Sequence, residues 1–140
     1  AYEAGICINN ASVTLVHGMS RPIGALFHVP HGISNAMLIH DCLSFAIDGC
    51  TERFANLARE IGAADEELDD KKAAVFFLTE LEKLCTRCKI PSLAEYGIVK
   101  EEFMALTDKM ATDALASGSP GNTRREVNKQ DIINIYNELW

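Results

Sequence analysis

Charge is distributed very unevenly along these 140 residues. Positions 1–40 hold only two charged side chains, Glu3 and Arg21, and the other 100 residues hold the remaining 31. All four histidines (His17, His28, His31, His40) lie in the nearly charge-free part. A segment this apolar has to be buried, in this chain's own core or against a partner. Buried imidazoles in turn need partners, because an unpaired polar group out of water is costly. The length predicts a single domain large enough to hide most of its apolar surface.

The remainder reads as helices. Thr51 stands as the N-cap of a helix over 51–61, with Phe54, Leu57, Ala58 and Ile61 at three-to-four spacing and Gly62 as its stop. Asp65 to Asp70 is an acidic lead-in to a helix ending near Cys88, whose apolar stripe is Val75, Leu78, Leu81 and Leu84. Pro91 ends that element, and Ser92 with Glu95 forms a capping-box pattern for a short helix. Residues 100–115 put Phe103, Leu106, Met110 and Leu115 on one face. The run from Ser117 to Asn122 is a loop by composition. Asn128 caps a last helix with Ile132, Ile133, Ile135, Tyr136 and Leu139 as its stripe. The nearest thing to a strand, Val13 to Val16, is short and lacks flanking turn signals. The fold class expected is all-α, a helical bundle.

Composition removes several functions. Thirteen Lys and Arg against twenty Asp and Glu give a net charge of −7. That is a poor match to nucleic acid or to an anionic membrane surface. No apolar run is long enough for a membrane-spanning helix. The five cysteines are an odd and sparse set, which points to reduced thiols and a cytoplasmic setting. Cys85 and Cys88 form a CxxC inside a helical pattern, with no second pair and no histidine after residue 40. They read as helix-face cysteines and not as a zinc or redox site. The chain opens on Ala1-Tyr2-Glu3 with no methionine and no signal segment, as a piece of a longer protein would.

The chemistry-bearing run is "VHGMSRPIGALFHVPHGISNAMLI". His17 and His31 are 14 apart, and Pro30 and Gly32 place His31 at a turn opening a helix. Two imidazoles from packed elements can form half of a metal site, and histidine nitrogen suits iron, zinc, nickel and copper. There is no Asp, Glu or Cys between them. The residues alone leave two readings open: half of a metal site, or core histidines bonded to backbone.

This run resembles the signature of the iron-containing (group III) alcohol dehydrogenases. The pattern is roughly H-[AG]-M-[AS]-H-x-[LI]-G, then P-H-G-x-x-N-A-x-L-L-P. The tail "SGSPGNTRREVNKQDIINIYNELW" is similar to that family's C-terminal loop and closing helix. The resemblance implies the all-helical C-terminal domain, residues 1–140, of a two-domain, dehydroquinate synthase-like enzyme. An N-terminal α/β domain, outside this sequence, would bind NAD(P). It implies Fe2+ or Zn2+ held by an Asp and a His from that missing part together with His17 and His31. The expected reaction is interconversion of a small alcohol and its aldehyde or ketone by hydride transfer, with the 140-residue chain inactive alone. A homodimer is the expected assembly.

Two positions depart from the family pattern. Many members carry a second His where Arg21 stands. Arg21 is permanently charged and cannot serve as a general base, so the proton-relay role is in doubt. It could instead contact the cofactor or an anionic group of the substrate, and it is the candidate catalytic and cofactor-contacting residue. His40 replaces a usual Pro and reads as structural or surface. Phe27 and the loop carrying Ser119 are the candidate substrate contacts. A rival reading is a stand-alone helical interaction module whose apolar face over residues 5–39 meets a partner. A third is a helical metalloprotein completing its site with Asp or Cys of this chain.

Overall fold

The computed structural model describes residues 2–140 and contains seven α-helices, with no strand among the described residues. They are α1 (Tyr2–Ala11), α2 (Leu15–Phe27), α3 (His31–Ala46), α4 (Thr51–Glu60), α5 (Asp70–Arg87), α6 (Lys100–Ala116) and α7 (Lys129–Glu138). Short 3-10 turns follow α3 (Ile47–Gly49) and α6 (Ser119–Asn122). No described helix is long and apolar enough to cross a membrane.

The charge-poor segment divides into three helices with different fates. α2 and α3 pack on each other, and α2 also packs on α6. Leu15, Met19 and Ile23 of α2 and Leu38 and Cys42 of α3 are buried with Phe103, Met110, Ile132 and Tyr136 in the main core. The Tyr136 hydroxyl donates to the Met19 carbonyl at 2.7 Å, tying α7 to the middle of α2. α1 buries nothing. Its Tyr2, Ile6 and Ile8 lie open, so the apolar face expected over residues 5–39 is exposed only at its N-terminal end.

Local chemistry accounts for several helix ends. His28 takes a left-handed conformation (φ 54°) after α2, and Pro30 follows to prevent continuation. Asp69 caps α5 by accepting from the amides of Lys71 and Lys72. Asn128 and Asp131 form a full capping box on α7. Gly62 (φ 72°) stops α4 as its sequence position predicts.

Three local expectations need correction. Cys50, not Thr51, is the N-cap of α4, because the Thr51 hydroxyl is used in donating back to the Ile47 carbonyl. The Ser92–Glu95 pair makes its reciprocal bonds, but only one turn follows, because Gly97 (φ 97°) breaks it. The stripe assigned to α5 is largely outside the core: Val75 is 55% and Leu84 47% exposed. The buried side of α5 is instead Ala73 and Ala74, with Phe77 packed beside them against α4. Small residues let α4 and α5 approach closely as a hairpin, and a satellite core forms there apart from the main one.

The segment after α6 clamps the other elements. Thr123 Oγ1 accepts from the Leu15 amide at 3.1 Å and so caps the start of α2. Asn122 donates to the Val13 carbonyl at 2.9 Å. Arg125 donates to the Phe45 carbonyl at 2.8 Å, stands over the Phe45 ring and pairs with Asp48. Beside it, a Cβ on Gly49 would come within 2.6 Å of the Arg125 backbone nitrogen. Only glycine permits that approach.

Candidate metal centre

The packing of α2 on α3 brings His17 and His31 together. Their ring centres are 5.3 Å apart with planes inclined by 57°. Two imidazoles on one tetrahedral ion, with metal–nitrogen bonds of about 2.0–2.1 Å, would have ring centres about 5 Å apart. The observed spacing fits two ligands of a single divalent ion. Among the described residues, no group of three or more His, Cys, Asp and Glu side chains is placed to hold a metal. The candidate donor set among the described residues is the two imidazoles.

His17 is held below the ordinary imidazole value, first by burial, then by the charge of His31 and then by Arg21. A depressed value keeps His17 neutral at physiological pH, the form that ligates metal. The same shift fixes a stability trend. Above the unfolded value near 6.5 both folded and unfolded His17 are neutral, so its full contribution is present. As pH falls below that, the unfolded chain takes up a proton before the folded one, and stability falls. Urea midpoints measured from pH 7.5 to 5 are expected to decline, with a shallower decline in His17→Gln.

His31 opens α3 and lies exposed, its ring engaged by Asn35 one helical turn on, with Asn35 Nδ2 3.0 Å from His31 Nε2. Asn35 Oδ1 is buried without a partner. Sequence reasoning quoted Asn35 within the motif but gave it no role. The signal available was its position four residues after His31, which puts both on one helix face. An amide nitrogen can only donate, which takes up the Nε2 lone pair; a metal-ligating His31 needs the carboxamide turned so that Oδ1 accepts the ring N–H.

Arg21 lies one turn beyond His17 on α2. Its Nη1 donates to Ser119 Oγ at 3.1 Å. Ser119 is buried, at 5% exposure, while Arg21 is exposed, so the loop holds the root of the charge and leaves the rest free. The structure thus joins His17, His31, Arg21 and Ser119 at one place. Close approach of the loop depends on Gly18, because a Cβ there would come within 2.8 Å of Pro120 Cδ and Cγ. Gly18→Ala is expected to cost about 1–3 kcal/mol and to loosen the Arg21–Ser119 contact. Thermal unfolding checks the first effect and the crystal structure of the variant the second.

Phe27 is not brought to this cluster. It ends α2, ten residues and roughly 15 Å along the helix from His17, and stacks on Phe103 at 5.4 Å. His40 pairs with Asp41 at 3.1 Å, in keeping with its structural reading. Cys85 and Cys88 are free thiols at the far end of α5.

The helical fold thus sets two imidazoles at a spacing that suits one ion, beside an arginine held by a loop serine. The chain belongs to the Fe-containing alcohol dehydrogenase family: the family's C-terminal model matches residues 1–140. It is 31% identical over 140 residues to lactaldehyde reductase of Escherichia coli K12, covering 99% of this chain and 36% of that protein. It is 33% identical over 137 residues to the NADPH-dependent butanol dehydrogenase of Clostridium saccharobutylicum, covering 95% of this chain and 34% of that one. Among solved structures, a 1,3-propanediol oxidoreductase superposes with a TM-score of 0.89 at 28% identity, over 98% of this chain and 35% of its own. The alcohol dehydrogenase of Oenococcus oeni gives 0.88 at 30% identity, over 98% of this chain and 35% of its own. The chain therefore spans about a third of the length of the relatives it matches.

Proposed function

We propose that this chain is the metal-bearing helical domain of an enzyme that interconverts an alcohol and its aldehyde or ketone using NAD(P). The observation that carries this is the 5.3 Å separation of the His17 and His31 rings in a chain of this family. His17 and His31 would supply two ligands to Fe2+ or Zn2+. The remaining ligands and the dinucleotide-binding α/β domain would come from the part of the protein that this chain does not span. The ion would supply Lewis acidity toward the substrate oxygen.

The residues of this chain have separate tasks. His17 and His31 would hold the ion, and Asn35, with its carboxamide oxygen turned to the ring, would orient His31. Arg21 places a fixed positive charge at the mouth of the site, and Ser119 holds it there. Phe27 enters only as a remote wall, with one face already used in stacking on Phe103. Two ligands bind an ion weakly, so the 140-residue chain alone is inactive. Small alcohols and aldehydes are the substrates, a homodimer is the assembly, and the cytoplasm is the compartment.

Metal content after loading and desalting tests the reading. The 140-residue chain is expected to retain almost no iron or zinc, and the full-length protein to retain about one ion per chain. A His17→Ala, His31→Ala double variant of the full-length protein should retain almost none. One ion held by the 140-residue chain alone would favour a complete site within it. A second reading, a helical interaction module without catalysis, draws on the uncovered face of α1. It predicts no metal retention by the full-length protein.

A further inference from the structure

Arg21 carries the only positive charge that residues 1–40 possess, apart from any on histidine. Among the described residues its one hydrogen bond goes to the neutral hydroxyl of Ser119, and no carboxylate pairs with it. Five of the thirteen Lys and Arg pair with an acid, namely Arg59, Lys83, Lys109, Arg125 and Lys129, so what sets Arg21 apart is its place one turn from His17 and its anchorage by a buried serine. The one acid of residues 1–40, Glu3, sits on the outlying α1, and Asp41 is engaged by His40.

This matters because of what lies beside Arg21. Imidazole nitrogens such as those of His17 and His31 bring no negative charge to a divalent ion. The Asp that the family resemblance places among the remaining ligands would be spent on the ion, so the guanidinium, which has no acid among the described residues to pair with, is left to meet an anion of the substrate. A guanidinium is also shaped for that task. Its planar fork presents five donors in a geometry that matches a carboxylate. Ser119 occupies one nitrogen from the buried side and leaves the outward donors available.

We propose that Arg21 is a substrate-binding residue that selects an anionic alcohol, a short hydroxy acid whose carboxylate meets the guanidinium while its hydroxyl reaches the metal centre. This rests on the dehydrogenase reading above and adds the substrate class to it. The reaction keeps its balance. A primary hydroxy acid loses a hydride from the carbinol carbon to NAD(P)+ and its hydroxyl proton to solvent. The products are an aldehyde acid, NAD(P)H and H+. The carboxylate is unchanged throughout, so Arg21 contributes binding and orientation and takes no proton.

The test compares 3-hydroxypropanoate with 1,3-propanediol in the metal-loaded full-length protein, two substrates that differ only at the far group. The expected kcat/KM for the hydroxy acid is at least about tenfold the higher, since one charge-assisted contact is worth about ten- to a hundred-fold. Arg21→Gln is expected to lower the ratio of the two values by about 100-fold, and Arg21→Lys to recover part of it. Ser119→Ala, which frees the guanidinium without removing it, should lower the ratio by a few-fold. A diol preferred by the wild type, with a ratio unmoved in Arg21→Gln, overturns the proposal. So does a raised KM for the dinucleotide with an unchanged substrate ratio, which would assign the anion to a cofactor phosphate. Propanoate binding, read from the Arg21 guanidinium nitrogen signal, needs no turnover. Movement with propanoate and none with 1-propanol supports the proposal, and a signal unmoved by propanoate overturns it. Absence of NAD(P)-linked turnover of both alcohols, with propanoate still bound, would count against the dehydrogenase reading and leave the anion site standing.

Discussion

Replacing His31 by alanine in the full-length protein is expected to remove the bound ion and to cut turnover by about 100-fold or more. Losing a group that merely orients a ligand commonly costs ten- to a hundred-fold in metal affinity or activity. Losing the ligand itself should cost at least the upper figure. His31 sits at the first position of α3, and its neighbour Asn35 is held by the same helix, so the backbone has no reason to move when the ring goes. The ring is exposed, and its truncation leaves no buried cavity. The unfolding temperature of the metal-free variant should therefore stay within a degree or two of the metal-free parent. His17→Ala should produce the same loss of ion, and the double variant should be scarcely worse than either single one, because the two rings serve one ion. Metal analysis, turnover and thermal unfolding on the same preparations check all three statements. Wild-type metal content in His31→Ala would remove this residue from the centre.

The pairing of His17 with His31 was legible in the sequence, and the reason is chemical. His17 and His31 stand in a stretch almost without charged side chains, which singled them out as the groups whose partners had to be found. The motif around them then supplied the family. Asn35 was less legible, because a carboxamide in a helix is ordinary until the ring it meets is known. Among the helices, legibility followed contrast between apolar and charged positions. α6 and α7 alternate the two, and their buried faces were read correctly at Phe103, Met110, Ile132 and Tyr136. Residues 1–46 offer almost no charged face against which to measure a period. The breaks around 12–14 and 28–30 come instead from positive φ at Ser12 and His28 and from Pro30. α5 misled for the opposite reason. Its leucines and Val75 fall at helical spacing, but the close approach of α4 selects Ala73 and Ala74 for the interface, and size overrode hydrophobicity.

That last distinction yields the second large effect. Phe103→Ala is expected to destabilise the chain by about 3–5 kcal/mol, the usual range for deleting a fully buried phenylalanine. Phe103 is fully buried and meets three other aromatic rings: Phe27 stacked at 5.4 Å, Tyr136 edge-on at 5.7 Å and Trp140 edge-on at 5.6 Å. Phe27 belongs to α2, Tyr136 to α7 and Trp140 is the last residue, while Phe103 itself is on α6, so the cavity opens where three helices converge and no single side chain can fill it. Each aromatic contact adds roughly 0.5–1.5 kcal/mol beyond the area buried. The unfolding temperature should fall by roughly 10–20 °C. Phe103→Leu, which keeps most of the volume, should cost about 1–2 kcal/mol. Leu84→Ala on α5 makes the contrast. It removes a residue from a regular apolar stripe, yet with 47% of its surface exposed the change is expected to stay within about 0.5 kcal/mol. Urea denaturation of the three variants decides whether periodicity or packing governs α5: equal losses at Phe103 and Leu84 would mean that the stripe of α5 is covered in solution.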